Sequence, residues 1–378
     1  MFSEYINKQL AKCQEYIDLY NDESVITYVA KPDSRIVAIG DIHGEIDLML
    51  KTLMIGKIIK KTNKSDNSIK LNNKGIEEYY EWIGKKTIVV QVGDQIDRCR
   101  PTLFSDCKSK DTTYQDEASD IEILLFFTNL HNLAKRYGGA VYSLLGNHEL
   151  MNSFGDIRYV SYENLKEVQI SENNFEEGRI QIFKRGDILS KFLACTRSSI
   201  LIVNGYLFVH GGVLGSFISK LNNGDNKYAI FKIINDVIKK WLTNNDTDLN
   251  VILNNKYSTN KIYRNFFKSN NINSFIVSID SPFYTRRLGN IKPKIEITDP
   301  KCNEVKHLIQ HFELNGIIVG HTPQIPYGIN GTCSDKLYRI DIASSKAFYY
   351  ILTENLLEPQ VLEITNKETK VIQGIYLH

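Results

Sequence analysis

The 378-residue chain contains no apolar run of about 18 residues, so no membrane span is expected. Its opening residues, MFSEYINKQL, lack the apolar stretch of a secretory leader. Six cysteines, at 13, 99, 107, 195, 302 and 333, form no C-x-x-C pair and are too scattered for a disulfide framework. Reduced thiols in a cytoplasmic compartment are the expectation. Charge of one sign is also missing. Lys and Arg number 46 against 44 Asp and Glu, a net +2, which gives no whole-chain reason to expect nucleic acid as a partner. Proline is scarce, at 8, and Asn is abundant; this is compositional bias without chemical content. What is present is ordinary for a globular chain: 42% hydrophobic and 24% charged residues. Those values exclude wholesale disorder and a fibrous fold. The length allows two domains, or one large domain with insertions.

Apolar spacing predicts a helix over residues 2–20, carried by Phe2, Ile6, Leu10, Tyr16, Ile17 and Tyr20. Residues 1–34 then form an N-terminal helical extension. Short apolar runs follow at Arg35–Gly40, Thr87–Val92, Ala140–Leu145, Leu201–Val209 and Gly316–Gly320. Each reads as a buried strand. Helices are predicted from Ile46 and over 119–136. The Lys/Asn-rich tract 61–75 reads as a solvated insertion, with a docking loop as the alternative. Residues 161–197 read as a small helical cap, and 213–275 as helices joined by Asn-rich loops. In that second stretch, Tyr263–Phe267 could line a groove or pack in the core. Alternation over 336–374 predicts closing hairpins. With no repeat and no clear linker, residues 35–378 read as one catalytic domain with insertions.

Five of these strands deliver Asp, Asn or His at their C-terminal ends, next to Gly: Asp41 and His43, Asp94 and Asp97, Asn147 and His148, His210, and His321. Functional residues of layered α/β folds gather where strands end and loops begin. Carboxylates and imidazoles without thiolate suit Mn, Fe or Zn. A lone Asp between two sets of ligands is suited to bridging a metal pair.

The blocks Asp41-Ile-His43-Gly44, Gly93-Asp94-Gln-Ile-Asp97-Arg98, Gly146-Asn147-His148-Glu149, His210-Gly-Gly and Gly320-His321 occur in the order of the calcineurin-like metallophosphoesterase superfamily. The chain resembles that superfamily over roughly residues 35–350. Asp97-Arg98 and Glu149 resemble its phosphoprotein phosphatase branch. The stretches Asp116-Glu117 and Gly146–Val160 resemble the bacterial-type Shewanella-like phosphatases within it. The resemblance implies a four-layer α-β-β-α sandwich of two mixed sheets. It implies that Asp41 and His43 bind one metal, that Asp94 bridges, and that Asn147, His210 and His321 bind the second. His148 would be the general acid, oriented and kept cationic by Asp97. Arg98 would grip the substrate phosphate, with Arg286 as a second arginine and Arg287 its adjacent competitor. Water bridging the metals would attack phosphorus directly, with no phosphoenzyme. The partner would be a phosphorylated protein or peptide.

Other readings stay open at this stage. The same blocks serve dinucleoside polyphosphate hydrolases. A phosphoprotein-binding pseudophosphatase would need a lost ligand or acid, and none is lost. A diesterase would leave Asp97, Arg98 and Arg286 without a purpose. Glu149 could orient the site or offset the charge of a helix N-terminus. Cys99 stands where the second block usually has Gly; it is small, but a positive φ there would cost energy. His307 and His311 share a helix face, without the Glu of a zinc-binding H-E-x-x-H. His131 has no partner in sequence.

Overall fold

The structure is a computed structural model that describes residues 2–20, 27–62, 76–170, 174–215, 228–245, 272–352, 355–366 and 368–374. Helix α1 (Phe2–Tyr20) leads to strands β1 (Tyr28–Val29) and β2 (Ile36–Ile39) and helix α2 (Ile46–Ile55). A short ribbon of β3 (Ile59–Lys61) and β4 (Tyr80–Trp82) precedes β5 (Ile88–Gln91), α3 (Asp120–Lys135) and β6 (Ala140–Leu144). Four helices follow: α4 (Asn147–Ser153), α5 (Tyr162–Glu167), α6 (Phe175–Phe183) and α7 (Ile188–Thr196). Next come β7 (Arg197–Ser198), β8 (Ile200–Val203), β9 (Tyr206–Val209), and helices α8 (Ala229–Leu242), α9 (Ile272–Val277) and α10 (Asn303–Phe312). The chain closes with β10 (Gly316–Val319), β11 (Asn330–Thr332), β12 (Leu337–Arg339), β13 (Gln360–Thr365) and β14 (Glu368–Gln373).

Two mixed six-stranded sheets carry the fold, ordered β14-β13-β2-β5-β6-β7 and β1-β8-β9-β10-β12-β11. Strands such as IVAI at 36–39 and IVVQ at 88–91 are buried at every residue, because both faces of their sheet are covered. Ala38, Val90, Leu144, Phe208, Ile318 and Leu362 fill the space between the sheets. On one outer face, Val37, Val89 and Val141 meet Leu53 of α2 and Phe126 and Leu130 of α3. On the other, Ile202, Leu207 and Ile317 meet Phe192, Ile234 and Leu308 from α7, α8 and α10. Each such side chain adds about 1.5–3 kcal/mol by leaving water. The result is the expected α-β-β-α sandwich.

The five strand predictions fall on observed strands, with the fourth run divided by a turn at Asn204-Gly205, both at positive φ. The extension is more than a helix. Ile6 of α1 is buried in the core, and Tyr28-Val29 pairs in parallel with Ile202 and Val203. The expected cap at 161–197 contains α5, α6 and α7. In the second insertion, residues 216–227 and 246–271 lie outside the described residues, as do Tyr263–Phe267 and most of the 61–75 tract. Residues 348–352 are not a strand: a 3-10 turn at Lys346–Phe348 leads into further turns. Their aromatic rings are taken up by the rim, with Tyr349 stacked on Tyr114 at 3.6 Å.

The expectation of reduced thiols is corrected. All six cysteines pair, as Cys13–Cys195, Cys99–Cys107 and Cys302–Cys333. The sequence separations of 182, 8 and 31 follow no framework spacing, because tertiary contacts alone bring the partners together. Cys99 does not have a positive φ, so the cost foreseen for replacing Gly does not arise.

His131 on α3 shows how burial sets a pH limit on this fold. Its Nδ1 is 2.8 Å from the Val141 carbonyl oxygen. Burial, then Lys135, lowers its pKa from 6.5 to about 4. The unfolded chain therefore takes up this proton at a higher pH than the folded one. The stability contributed by the neutral ring is complete above about pH 6.5 and is lost as pH falls toward 4. Between about pH 7 and pH 4.5, His131→Gln is expected to lose about 2 kcal/mol less stability than wild type, measured by urea unfolding. Equal losses in the two proteins would contradict this account.

Candidate metal centre

Strands β2, β5 and β6 run parallel in one sheet, and β9, β10 and β12 run parallel in the other. Their C-terminal ends meet at one rim. Hydrogen bonds cross the gap: His210 Nδ1 lies 2.9 Å from the Val92 carbonyl oxygen, and the His321 amide donates to Asp41 Oδ2 at 3.2 Å. The approach is close enough to require glycine. A Cβ at Gly146 would stand 2.1 Å from Asp94 Oδ1, and one at Gly320 would stand 2.4 Å from Asp41 Oδ1. Four of the predicted residues are themselves left-handed: His43 (φ 47), Asp94 (52), Asp97 (73) and His321 (65). Each non-glycine residue in that region costs on the order of 1 kcal/mol, so the surrounding contacts must hold it there.

Glu149 is one such contact. Fully buried, it accepts backbone hydrogen bonds from Gly146 (2.7 Å), Asp94 (3.1 Å) and Gln95 (2.7 Å). Both of its readings describe what it touches: the Gly146 amide belongs to the N-terminus of α4, and the Asp94 and Gln95 amides to the loop that bears Asp94.

Two ligand groups share Asp94. His43, Asp94 and His148 place ligand atoms within 4.8 Å of one another, and so do Asp94, His210 and His321. Three imidazoles spend one nitrogen on a backbone carbonyl: His43 Nδ1 on Ile96 (3.4 Å), His210 Nδ1 on Val92 (2.9 Å), and His321 Nε2 on Tyr284 (3.1 Å). That leaves the opposite nitrogen for a ligand, the usual orientation of a metal-binding histidine. Asn147 Oδ1 joins the second group, 3.1 Å from His210 Nε2. Asp41 Oδ2 lies 3.9 Å from His43 Nε2.

The electrostatics fit a cation. Burial would raise Asp94, but His210, His148 and His43 outweigh it and hold its carboxyl well below the ordinary range. Asp41 is pushed well up by burial and then by Asp341 and Asp94. Asp341 rises to about 6 through burial, with Asp94 adding to it. His321 falls to about 2 through burial and then His210 and Arg286, which leaves it neutral, as a ligand must be. His210 moves the other way: burial would lower its pKa, but Asp94 outweighs burial and raises it. Crowded, desolvated carboxylates beside imidazoles form a donor set that divalent cations relieve.

His148 is held from the far side. Its Nδ1 is 2.7 Å from Asp97 Oδ2, and its Nε2 is 3.8 Å from Asp94 Oδ2. Asn152 Nδ2 donates to Asp97 Oδ1 at 2.9 Å, and Arg179 Nε donates to Asn152 Oδ1 at 2.8 Å. Arg179 Nη2 donates to Asp120 Oδ2 (2.8 Å), and the Asp97 amide donates to Asp120 Oδ1 (3.1 Å), which closes a ring of bonds. Asp97, Asn152, Arg179 and Asp120 are all completely buried.

The predicted arginines divide. Arg286 Nη1 donates to the His321 carbonyl at 2.6 Å, beside the second ligand group. Arg287 instead pairs with Asp280 at 3.0 Å on the surface. Arg98 is only 1% exposed; its Nη1 donates to Gly44 O and Glu117 Oε1 and its Nη2 to Gln115 O, while its buried Nε has no partner among the described residues. The phosphate role that the resemblance implied for it meets a side chain already committed elsewhere. His307 and His311 stack on α10 and take no part in a ligand group among the described residues. Sequence reasoning missed Asp341, Arg100, Asn152, Arg179 and Asp120. Asp341 could have been found, since it follows the apolar run before it as Asp41 and Asp94 follow theirs. Arg179 carried no signal at all.

A family profile described as calcineurin-like phosphoesterase matches residues 34–324. Uncharacterized protein R398 of Acanthamoeba polyphaga mimivirus is 38% identical over 258 residues, covering 64% of this chain and 95% of its own. Shewanella-like protein phosphatase 2 of Arabidopsis thaliana is 26% identical over 388 residues, covering 91% of this chain and 78% of its own. Among solved structures, a cold-active protein-tyrosine phosphatase of a psychrophile Shewanella sp. superposes with a TM-score of 0.58 at 20% identity. That match covers 93% of this chain and 84% of the other, and it speaks for the fold.

Because Asp94 serves both ligand groups, Asp94→Asn is expected to lower bound Mn²⁺ from about two ions per chain to fewer than one, by elemental analysis. Chelation of wild type should lower its melting temperature, since a cation bound only by the folded state stabilises it. A variant that keeps both ions would show that Asp94 is not the shared ligand.

Proposed function

We propose that this chain, which belongs to the calcineurin-like phosphoesterase family, hydrolyses phosphate monoesters and that its substrates are phosphoproteins. We assign Asp41, His43 and Asp94 to one cation and Asp94, Asn147, His210 and His321 to a second. Oxygen and imidazole donors without thiolate suit Mn, Fe or Zn. Two such cations, when bound, supply Lewis acidity that activates water and offsets phosphoryl charge.

The chain's own chemistry centres on His148. The 2.7 Å bond from its Nδ1 to Asp97 carries this reading. Asp97 fixes the ring by its bond to Nδ1, leaving Nε2 to give a proton to the departing oxygen. Asn152 Nδ2 donates to the Asp97 carboxylate, and the Asp97 amide donates to the Asp120 carboxylate, so both ends of Asp97 are held. Arg286, tied to the His321 carbonyl, places a cation beside the site where phosphoryl oxygens would lie. The phosphoprotein assignment draws on the Asp97-Arg98 and Asn147-His148-Glu149 blocks and on the names of the relatives.

General acid catalysis is worth about 10²–10⁴ in rate and matters most for poor leaving groups. His148→Asn is therefore expected to lower kcat by about 10² or more on an alkyl phosphate and by less on para-nitrophenyl phosphate. Near-normal turnover of the alkyl ester would refute the assignment. With Mn²⁺ present, wild type should release phosphate from para-nitrophenyl phosphate and from a phosphotyrosine or phosphothreonine peptide. It should do so faster than from the bis-ester or diadenosine tetraphosphate. Preference for either of the last two would overturn the phosphoprotein reading while keeping the metal centre.

A further inference from the structure

Arg100 lies two residues beyond Arg98 and occupies a different place. Its guanidinium carbon sits 4.4 Å from the centre of the Phe348 ring and 5.5 Å from that of Tyr159. Phe348 is 5.4 Å from the His43 ring, and Tyr159 is 5.0 Å from the His148 ring. His43 and His148 are themselves 4.9 Å apart. The five groups close a circle, with the Arg100 cation opposite a metal-ligand candidate and the proposed acid. After burial itself, Arg100 is the strongest influence driving the His43 ring toward its neutral form.

The availability of this cation differs from that of Arg98. Arg100 uses Nη1 alone, on the carbonyl oxygens of Asp97 (2.9 Å) and Cys99 (2.8 Å). Its Nε and Nη2 make no hydrogen bond among the described residues. Those two nitrogens form one edge of a planar fork, the edge that matches a pair of phosphate oxygens. Two aromatic rings flank it, and the Cys99–Cys107 bridge closes the loop that bears it. A donor held in place before binding loses little entropy when it engages.

We propose that Arg100 binds the substrate phosphoryl group at this rim together with Arg286, in the place that the second-block arginine was expected to take. Arg98 instead fastens Gly44 to the 115–117 loop. The proposal rests on the phosphatase reading above, and its ligand class is a phosphate monoester dianion or inorganic phosphate.

The test compares wild type, Arg100→Ala, Arg100→Lys and Arg287→Ala, each loaded with Mn²⁺ and checked for melting temperature. Binding of inorganic phosphate is measured by calorimetry, and KM and kcat with para-nitrophenyl phosphate. Arg100→Ala should weaken phosphate binding at least tenfold and raise KM. Arg100→Lys should recover part of both, and Arg287→Ala, which loses a surface charge, should match wild type. Phosphate affinity within twofold of wild type in Arg100→Ala overturns the proposal. If kcat or melting temperature falls while that affinity holds, Arg100 only pins the loop through the Asp97 and Cys99 carbonyls, and the proposal is equally overturned. Calorimetry needs no turnover, so the two readings fail separately. A wild type that hydrolyses no monoester refutes the phosphatase assignment, whereas phosphate binding lost with Arg100 still supports this one.

Discussion

The carboxylate of Asp94 is the point on which the two sheets agree. It lies within reach of imidazoles from both sheets, 3.2 Å from His210 Nε2 and 3.9 Å from His43 Nε2. A charge so buried is tolerable only if its partners are complete. Its backbone is left-handed, its amide is held by Glu149, and its side chain accepts the His148 amide at 3.0 Å. Gly146 is small because Asp94 is there. Moving this one group would disturb both ligand sets and the proposed acid together.

A second constraint draws the helical insertion into the site. Arg179 comes from α6, in a stretch that reads from sequence as a cap, yet it closes the ring through Asn152, Asp97 and Asp120 behind His148. Its guanidinium also stacks 4.2 Å over Phe183. A buried ion pair adds little net stability, but losing one partner strands the other in a dry interior. The insertion is thereby bound to the geometry of the chemistry and is not a detachable lid.

Much of the site was legible because its signals are local. An apolar run that stops at Gly-Asp or Asn-His announces a strand end with a polar function, and Asp41, Asp94, Asn147, His210 and His321 all obey that rule. The ligand donors then meet because parallel strands end on one rim. Orientation was not legible in the same way. Arg98 and Arg100 are near neighbours on one loop, and sequence pattern favoured the first. Burial turned Arg98 to Glu117 and the Gly44 carbonyl, and left Arg100 between two rings over the histidines. The cystines escaped for a related reason: Cys13 and Cys195 are 182 residues apart, and only the packing of α1 on α7 brings them together.

Sequence alone determined the strands, their ends and the chemical types of the candidate ligands, because hydrophobic periodicity and glycine placement act over a few residues, and the order of the motif blocks implied the layered fold. Tertiary structure decided which polar groups face the centre, how Arg98 and Arg100 are each engaged, how six thiols pair, and that Arg179 and Asp341 stand beside the candidate site. Those outcomes depend on distances between segments far apart in the chain. Burial sets the cost of every unpaired charge in such places, and that cost exists only once the segments have come together.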